Sequence, residues 1–185
     1  MILETIVSTL DRDGRPNFAP MGITLRDAVV TLRPFRTALT WKNLQEVGEG
    51  VVNFTDNVAL FARCAVEPFL PPHHEAGAVR GRVLDDACFW KEFVVESKEL
   101  EGERGLFTGR VVSEGRRRDF VGFNRARHAV IEATILATRL HLLGRDRVLE
   151  EISRLRPLVD KTAGPPEREA FEFLVEHARR WTDAH

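Results

Sequence analysis

Asn17-Phe18-Ala19-Pro20-Met21-Gly22-Ile23, then Arg36-Thr37-Ala38-Leu39-Thr40-Trp41-Lys42-Asn43-Leu44, then Val51-Val52-Asn53-Phe54-Thr55 are the stretches on which the reading of this chain turns. The first is a strand that opens into a Pro/Gly bend. The second is a basic, hydroxyl-rich helix start, and the third a buried strand interrupted by an amide. In that order they suit an anionic, planar ligand, because unpaired N–H groups and cations at a helix start attract negative charge.

Around these stretches the first half of the chain reads as short strands. The N-terminal Ile2–Leu10 is rich in β-branched and apolar residues, and Asp11-Arg12-Asp13-Gly14-Arg15-Pro16 is turn chemistry, since Gly14 accepts positive φ and Pro16 presets the exit. A second strand over 18–25 and a third over 28–33 follow, separated by Arg26-Asp27. Thr40 is expected to cap a short helix running to Val47, which Gly48 and Gly50 end. A second short helix is expected over 57–65. The run Glu67-Pro68-Phe69-Leu70-Pro71-Pro72-His73-His74-Glu75 is expected to be loop, and such a loop could cover a ligand. Strand patterns return at 83–84, 88–99 and 105–113. Six or seven strands without repeated helical crossovers predict a closed barrel, because closure removes exposed edges.

The remainder changes period. Between Asp119 and Leu143 apolar residues recur at helical spacing, predicting one long helix that Gly144 ends. Segments 147–159 and 167–181 are amphipathic, with Gly164-Pro165-Pro166 between them. The expected organisation is a barrel domain over 1–117 and a helical subdomain over 118–185, an α+β chain with an antiparallel split β-barrel.

The 185 residues, 43% of them hydrophobic, are enough for one domain plus an appendage. A formal net charge of −1 gives no electrostatic case for nucleic acid or an anionic membrane surface as a partner, and Arg116-Arg117-Arg118 reads as a solvated cluster. No apolar run reaches membrane-spanning length and no export signal opens the chain, so a soluble cytoplasmic protein is expected. Cys64 and Cys88 stand far apart without zinc spacing, and His128 and Glu132, four apart on one helix face, have no third ligand, so no metal site is expected. His73 and His74 are candidate proton donors or a solvated loop pair.

The three opening stretches, together with Phe123-Asn124-Arg125-Ala126-Arg127-His128-Ala129-Val130-Ile131-Glu132-Ala133, resemble the flavin-binding split-barrel proteins, and among them the domain-of-unknown-function 447 family. The resemblance covers most of the chain. It implies FMN as cofactor, a flavin reductase-like oxidoreductase acting on a small-molecule substrate or electron acceptor, and a homodimer, since split-barrel flavoproteins usually bind the cofactor where two subunits meet. A non-catalytic electron carrier, store or sensor working through a protein partner is the alternative.

By resemblance, Arg36, Thr37, Thr40, Lys42 and Asn43 are the candidates for phosphate or ribityl contacts. Gly22 would let backbone approach the flat ring, Met21 would offer it a polarizable apolar surface, and Asn53, donor and acceptor on one amide, could read the pyrimidine edge or the ribityl chain. The same residue types also serve ordinary turns and helix caps. No catalytic residue is assigned, because flavin chemistry resides in the ring and needs no separate acid or base.

Overall fold

The computed structural model describes residues 1–182 and separates into two compact units. The first comprises Met1–Thr55 and Phe69–Phe120. The second combines Asp56–Pro68 with the chain from Val121 onward. Segment 56–68, which the sequence reading placed with the barrel, thus belongs with the helices, and the second crossing between units falls three residues beyond the expected boundary.

The first unit is built on strands β1 (Ile2–Leu10), β2 (Pro16–Arg26), β3 (Val29–Leu32), β4 (Glu49–Phe54), β7 (Phe89–Glu101) and β8 (Arg104–Arg116), with helix α1 (Leu39–Glu46) and the small strands β5 (His73–Glu75) and β6 (Arg82–Leu84). The six longer strands close in the order β1-β2-β3-β8-β7-β4, all neighbours antiparallel. β5 and β6 pair only with each other, so part of the expected 67–75 loop is strand. Gly14 at φ +83° makes the first hairpin turn, as its sequence context predicts.

Inside the barrel, Val7, Ile23, Leu32, Leu44, Val52, Phe93 and Phe107 form one buried apolar cluster. Phe93 fits because the barrel wall is glycine where its ring lies. A Cβ on Gly109 would sit 2.8 Å from the ring and 3.0 Å from the Val94 carbonyl, and one on Gly50 would meet the ring at 2.8 Å. Gly109→Ala is therefore expected to overpack the core and cost about 1–3 kcal/mol in urea unfolding. A neutral result would show that the ring has room to move.

The barrel is incompletely zipped at one place. β3 pairs with Ile23–Arg26 of β2 but not with the rest of it, and beyond Leu32 the chain follows β8 alone, through Gly105 N to Pro34 O (2.9 Å), the Phe35–Arg104 bridge and Arg36 N to Glu103 O (3.0 Å). Helix α1 packs at this split, burying Leu44 completely and laying Trp41 against Gly105 and the core cluster.

The second unit holds α2 (Val58–Val66), α3 (Arg125–Ala137), α4 (Leu140–Leu143), α5 (Arg145–Thr162) and α6 (Pro165–Arg180) around a core that includes Ala126, Val130, Ala133, Ile152, Phe171 and Leu174. The single long helix expected over 119–143 is not formed. Gly122 takes φ +104°, Asn124 stands extended as N-cap with its side chain accepting from Arg127 N (3.1 Å), and the helix breaks again at Thr138 and Arg139. Phe120 and Phe123, counted in the helical stripe, lie before the cap and are exposed. The expected 167–181 helix begins instead at Pro165, whose missing N–H is no loss in a first turn.

This unit is expected to be acid-sensitive. Burial depresses the His177 pKa below its usual 6.5, against the opposing pull of Glu67. The hydrogen bond from Arg156 holds Glu172 below 4.5. Glu167, despite burial that raises it, is held below 4.5 by Arg127 and backbone N–H groups. All three folded values are lowered, so each contribution is fully present above the unfolded value and is lost as pH falls. The thermal midpoint is expected to decline first below pH 6.5 and again below pH 4.5, with His177→Asn abolishing the first step only. An unchanged first step in that variant would assign it to another group.

Candidate functional site

The basic corner lies at the start of α1. Alanine, not threonine, occupies the N-cap: Ala38 has no side chain to offer, and no acidic residue enters the first turn. By contrast α2 and α3 are each capped by their own asparagine, Asn57 accepting from Ala59 N and Leu60 N, and Asn124 from Arg127 N. The N-terminal N–H groups of α1 thus have no side-chain cap, and such groups carry partial positive charge.

The expected ligating residues divide by face. Arg36, Thr37 and Lys42 are exposed around that terminus. Thr40 and Asn43 point the other way and are buried: Asn17 Nδ2 donates to Thr40 Oγ1 (3.0 Å), and Asn43 Nδ2 donates to Thr9 Oγ1 (3.0 Å). These two bonds pin α1 to β2 and β1. Thr40 therefore serves as an anchor rather than the cap expected of it, because residues three and four apart share a helix face and this face is turned to the sheet. Asn17 and Thr9 went unassigned in the sequence, where nothing marks a strand hydroxyl or amide as a helix anchor.

Met21 and Gly22 lie four and five residues along β2 from Asn17, about 13–17 Å of strand at roughly 3.3 Å per residue. Both belong to the part of β2 that lacks β3 as a neighbour, so this edge of backbone is open on the side of the split. Gly22 is exposed and Met21 half-buried. The corner and the open edge are separated by about the length of a nucleotide-like ligand.

Asn53 is placed otherwise than expected. It is fully buried, its Nδ2 donates to Ile6 O (3.2 Å) and approaches Ser8 Oγ and Val51 O, and its Oδ1 accepts from Leu84 N (2.9 Å). The amide joins β4 to β1 and β6 and has no donor left for a ligand. Ser8 Oγ donates to Arg82 O in the same seam. The sequence signal, a polar interruption in an apolar strand, was real, but it marks a structural joint.

Trp41 is an addition. Its indole N–H is buried with no acceptor among the described residues, beside Gly105, where a Cβ would lie 2.8 Å from Nε1. A buried donor left unsatisfied costs on the order of 1–3 kcal/mol. Cys88 is fully buried, and burial pushes the Cys64 thiol up to about 11, which leaves Cys64 protonated near neutrality. Among the described residues no group of His, Cys, Asp and Glu could hold a metal, and no helix is long and apolar enough to cross a membrane.

The six-stranded antiparallel barrel has the fold of the flavin reductase-like split barrels. The chain belongs to the DUF447 family: the model described as "Protein of unknown function (DUF447) N-terminal domain" matches residues 3–118 and its C-terminal counterpart matches 124–176. Among solved structures it is similar to the FMN-bound protein MM1853 from Methanosarcina mazei, of the same family, at 27% identity and a TM-score of 0.84 over 95% of this chain and 94% of that one. The FMN-binding protein from Thermus thermophilus with bound p-hydroxybenzaldehyde (18% identity, TM-score 0.55, 62% of this chain and 71% of that one) shares the barrel fold. So does the styrene monooxygenase flavin reductase from Pseudomonas putida S12 (19%, 0.53, 61% and 78%).

Proposed function

We propose that this chain binds FMN at the split and works as a flavin reductase-like oxidoreductase on a small molecule. The observation that carries the reading is the start of α1: a helix terminus without a side-chain cap, ringed by Arg36, Thr37 and Lys42, next to an open sheet edge at Met21 and Gly22. A phosphate fits the first part, since backbone N–H groups, hydroxyls and cations together favour an anion. A flat ring fits the second. The FMN carried by the structurally similar family member supports the same cofactor here.

Bound FMN supplies hydride or electron transfer, and the chain supplies binding and orientation. Arg36 and Lys42 hold the charged end. Thr40 and Asn43 act through position, fixing α1 on the sheet by their bonds to Asn17 and Thr9.

The working unit in this reading is a homodimer. Phe35 and Leu39, 52% and 62% exposed, flank the basic corner, and the Arg104 guanidinium lies 3.9 Å over the Phe35 ring. A second copy covering these side chains would also shield the cofactor from water. Light scattering of the eluting protein tests this: a dimeric mass is expected, and a monomer loaded with FMN contradicts it.

Turnover is tested by rapid mixing of the flavin-loaded protein with NADH and with NADPH. Bleaching of the visible flavin band, followed by recovery with an acceptor, is expected. A spectrum inert to both donors would favour the carrier or sensor reading.

A further inference from the structure

The barrel unit also carries a cavity away from the basic corner. It is a cleft of about 800 Å³ at the opposite end of the β7–β8 hairpin, between Phe89–Lys91 and 114–120. Gly105, beside Trp41, and Gly115, in the cleft, are ten residues apart on β8, about 30 Å at roughly 3.3 Å per residue. The cleft and the charged end of the α1 corner therefore lie at opposite ends of β8.

The cleft has a preformed aromatic surface. Trp90 is paired across the ladder with Gly115, and a Cβ at that position would fall inside the indole, so the ring rests directly on backbone. Its Nε1 donates to Glu92 Oε1 (3.3 Å), which fixes the ring in its plane. Phe89 is stacked on Phe54 with centroids 4.2 Å apart, and Phe120, half exposed, forms another wall.

Its charges are arranged unevenly. Lys91 is sunk, with 19% of its side chain exposed, whereas its partner Glu114 is 68% exposed. Arg118, 31% exposed, is held in place by the Asp86 side chain and carbonyl (3.2 and 3.1 Å). An ion pair with a solvent-exposed partner contributes little, so a carboxylate arriving within the cleft can replace Glu114 on Lys91 at little cost. The volume falls in the range of small-molecule sites, about 300–1,000 Å³.

We propose that this cleft is a second small-molecule site, separate from the α1 corner, that takes a planar aromatic carboxylate: the ring lies against Trp90 and the carboxylate is held by Lys91 and Arg118. The assignment does not depend on FMN binding. It accounts for a glycine opposite a tryptophan, for a lysine withdrawn from water, and for an exposed phenylalanine at the rim.

The chain contains three tryptophans, so 5-fluorotryptophan labelling gives three fluorine resonances, with Trp90 assigned from Trp90→Phe. Titration of the full chain with 2-naphthoate, with and without saturating FMN, is expected to move the Trp90 resonance saturably and leave that of Trp41 in place. Lys91→Met and, independently, Arg118→Met are each expected to weaken binding about tenfold or more, the usual consequence of losing a charge-assisted hydrogen bond. Neutral 2-naphthalenemethanol is expected to bind weaker by a similar factor. A Trp90 resonance unmoved at millimolar naphthoate, a response at Trp41 that FMN suppresses, or equal affinity in folded variants overturns the proposal.

Discussion

Arg127→Met is expected to destabilise the chain by about 3 kcal/mol in urea unfolding, with the loss concentrated in the helical unit. Arg127 is the shared partner of two carboxylates. Its Nη1 donates to Asp56 Oδ2 (3.0 Å) and its Nε to Glu167 Oε1 (2.9 Å), with side-chain exposures of only 4% and 11% for the two acids. Removing the cation leaves both charges in place without their common guanidinium, the situation in which breaking a buried pair costs about 3–5 kcal/mol. The lower end applies here because Arg127 itself is 22% exposed and because Val121 N and Gly164 N still donate to the two acids.

The same reasoning makes the triple variant Asp56→Leu, Arg127→Met, Glu167→Leu far less damaging than Arg127→Met alone, since no charge is then stranded. Hydrogen exchange should show the difference in α3 and α6, whose termini these residues join. A single variant that loses less than about 1 kcal/mol would mean that water relieves the two acids, and the triad would then be ordinary surface chemistry.

The second large effect is on binding. Arg36→Ala with Lys42→Ala is expected to weaken FMN about 100-fold while leaving the unfolding midpoint nearly unchanged. Each hydrogen bond to a charged group contributes about 1.5–3 kcal/mol, and exposure on the protein surface places these two near the lower value. Neither cation supports the fold: both are exposed, and Arg36 contributes to the barrel through its backbone N–H, which alanine keeps. Riboflavin, which lacks the phosphate, is the control, and its affinity should be indifferent to the pair. Equal losses for riboflavin and FMN would place the two cations elsewhere than at the phosphate.

The barrel was readable because its signals are local. Gly14 and Pro16 announce a turn, and the β-branched runs on either side fix two strands. The capping roles were less so. Thr40 has the chemistry of a cap, yet the chain enters α1 two residues earlier through Ala38, and only the packing of Thr40 on Asn17 shows this. Asn124 hid in the opposite way: apolar Phe120 and Phe123 fall at helical spacing with the residues beyond it, so periodicity carried the helix past its true start. Periodicity reports repetition, not where hydrogen bonding begins.

Within the site, Arg36, Thr37 and Lys42 were legible as a basic helix start. The burial of Asn53 was not, because an amide that serves three backbone segments looks the same in sequence as one that serves a ligand. The split itself depends on β3 being only Val29–Leu32, a length set by its partners β2 and β8 rather than by its own residues.

A fluorescence titration of FMN with the purified full chain, against riboflavin as the phosphate-free control, bears most directly on the split as a cofactor site. Saturable quenching at micromolar protein, one flavin per chain and markedly weaker for riboflavin, is the expected result. FMN fluorescence unaltered by the protein, together with a preparation that shows no flavin absorbance, contradicts it.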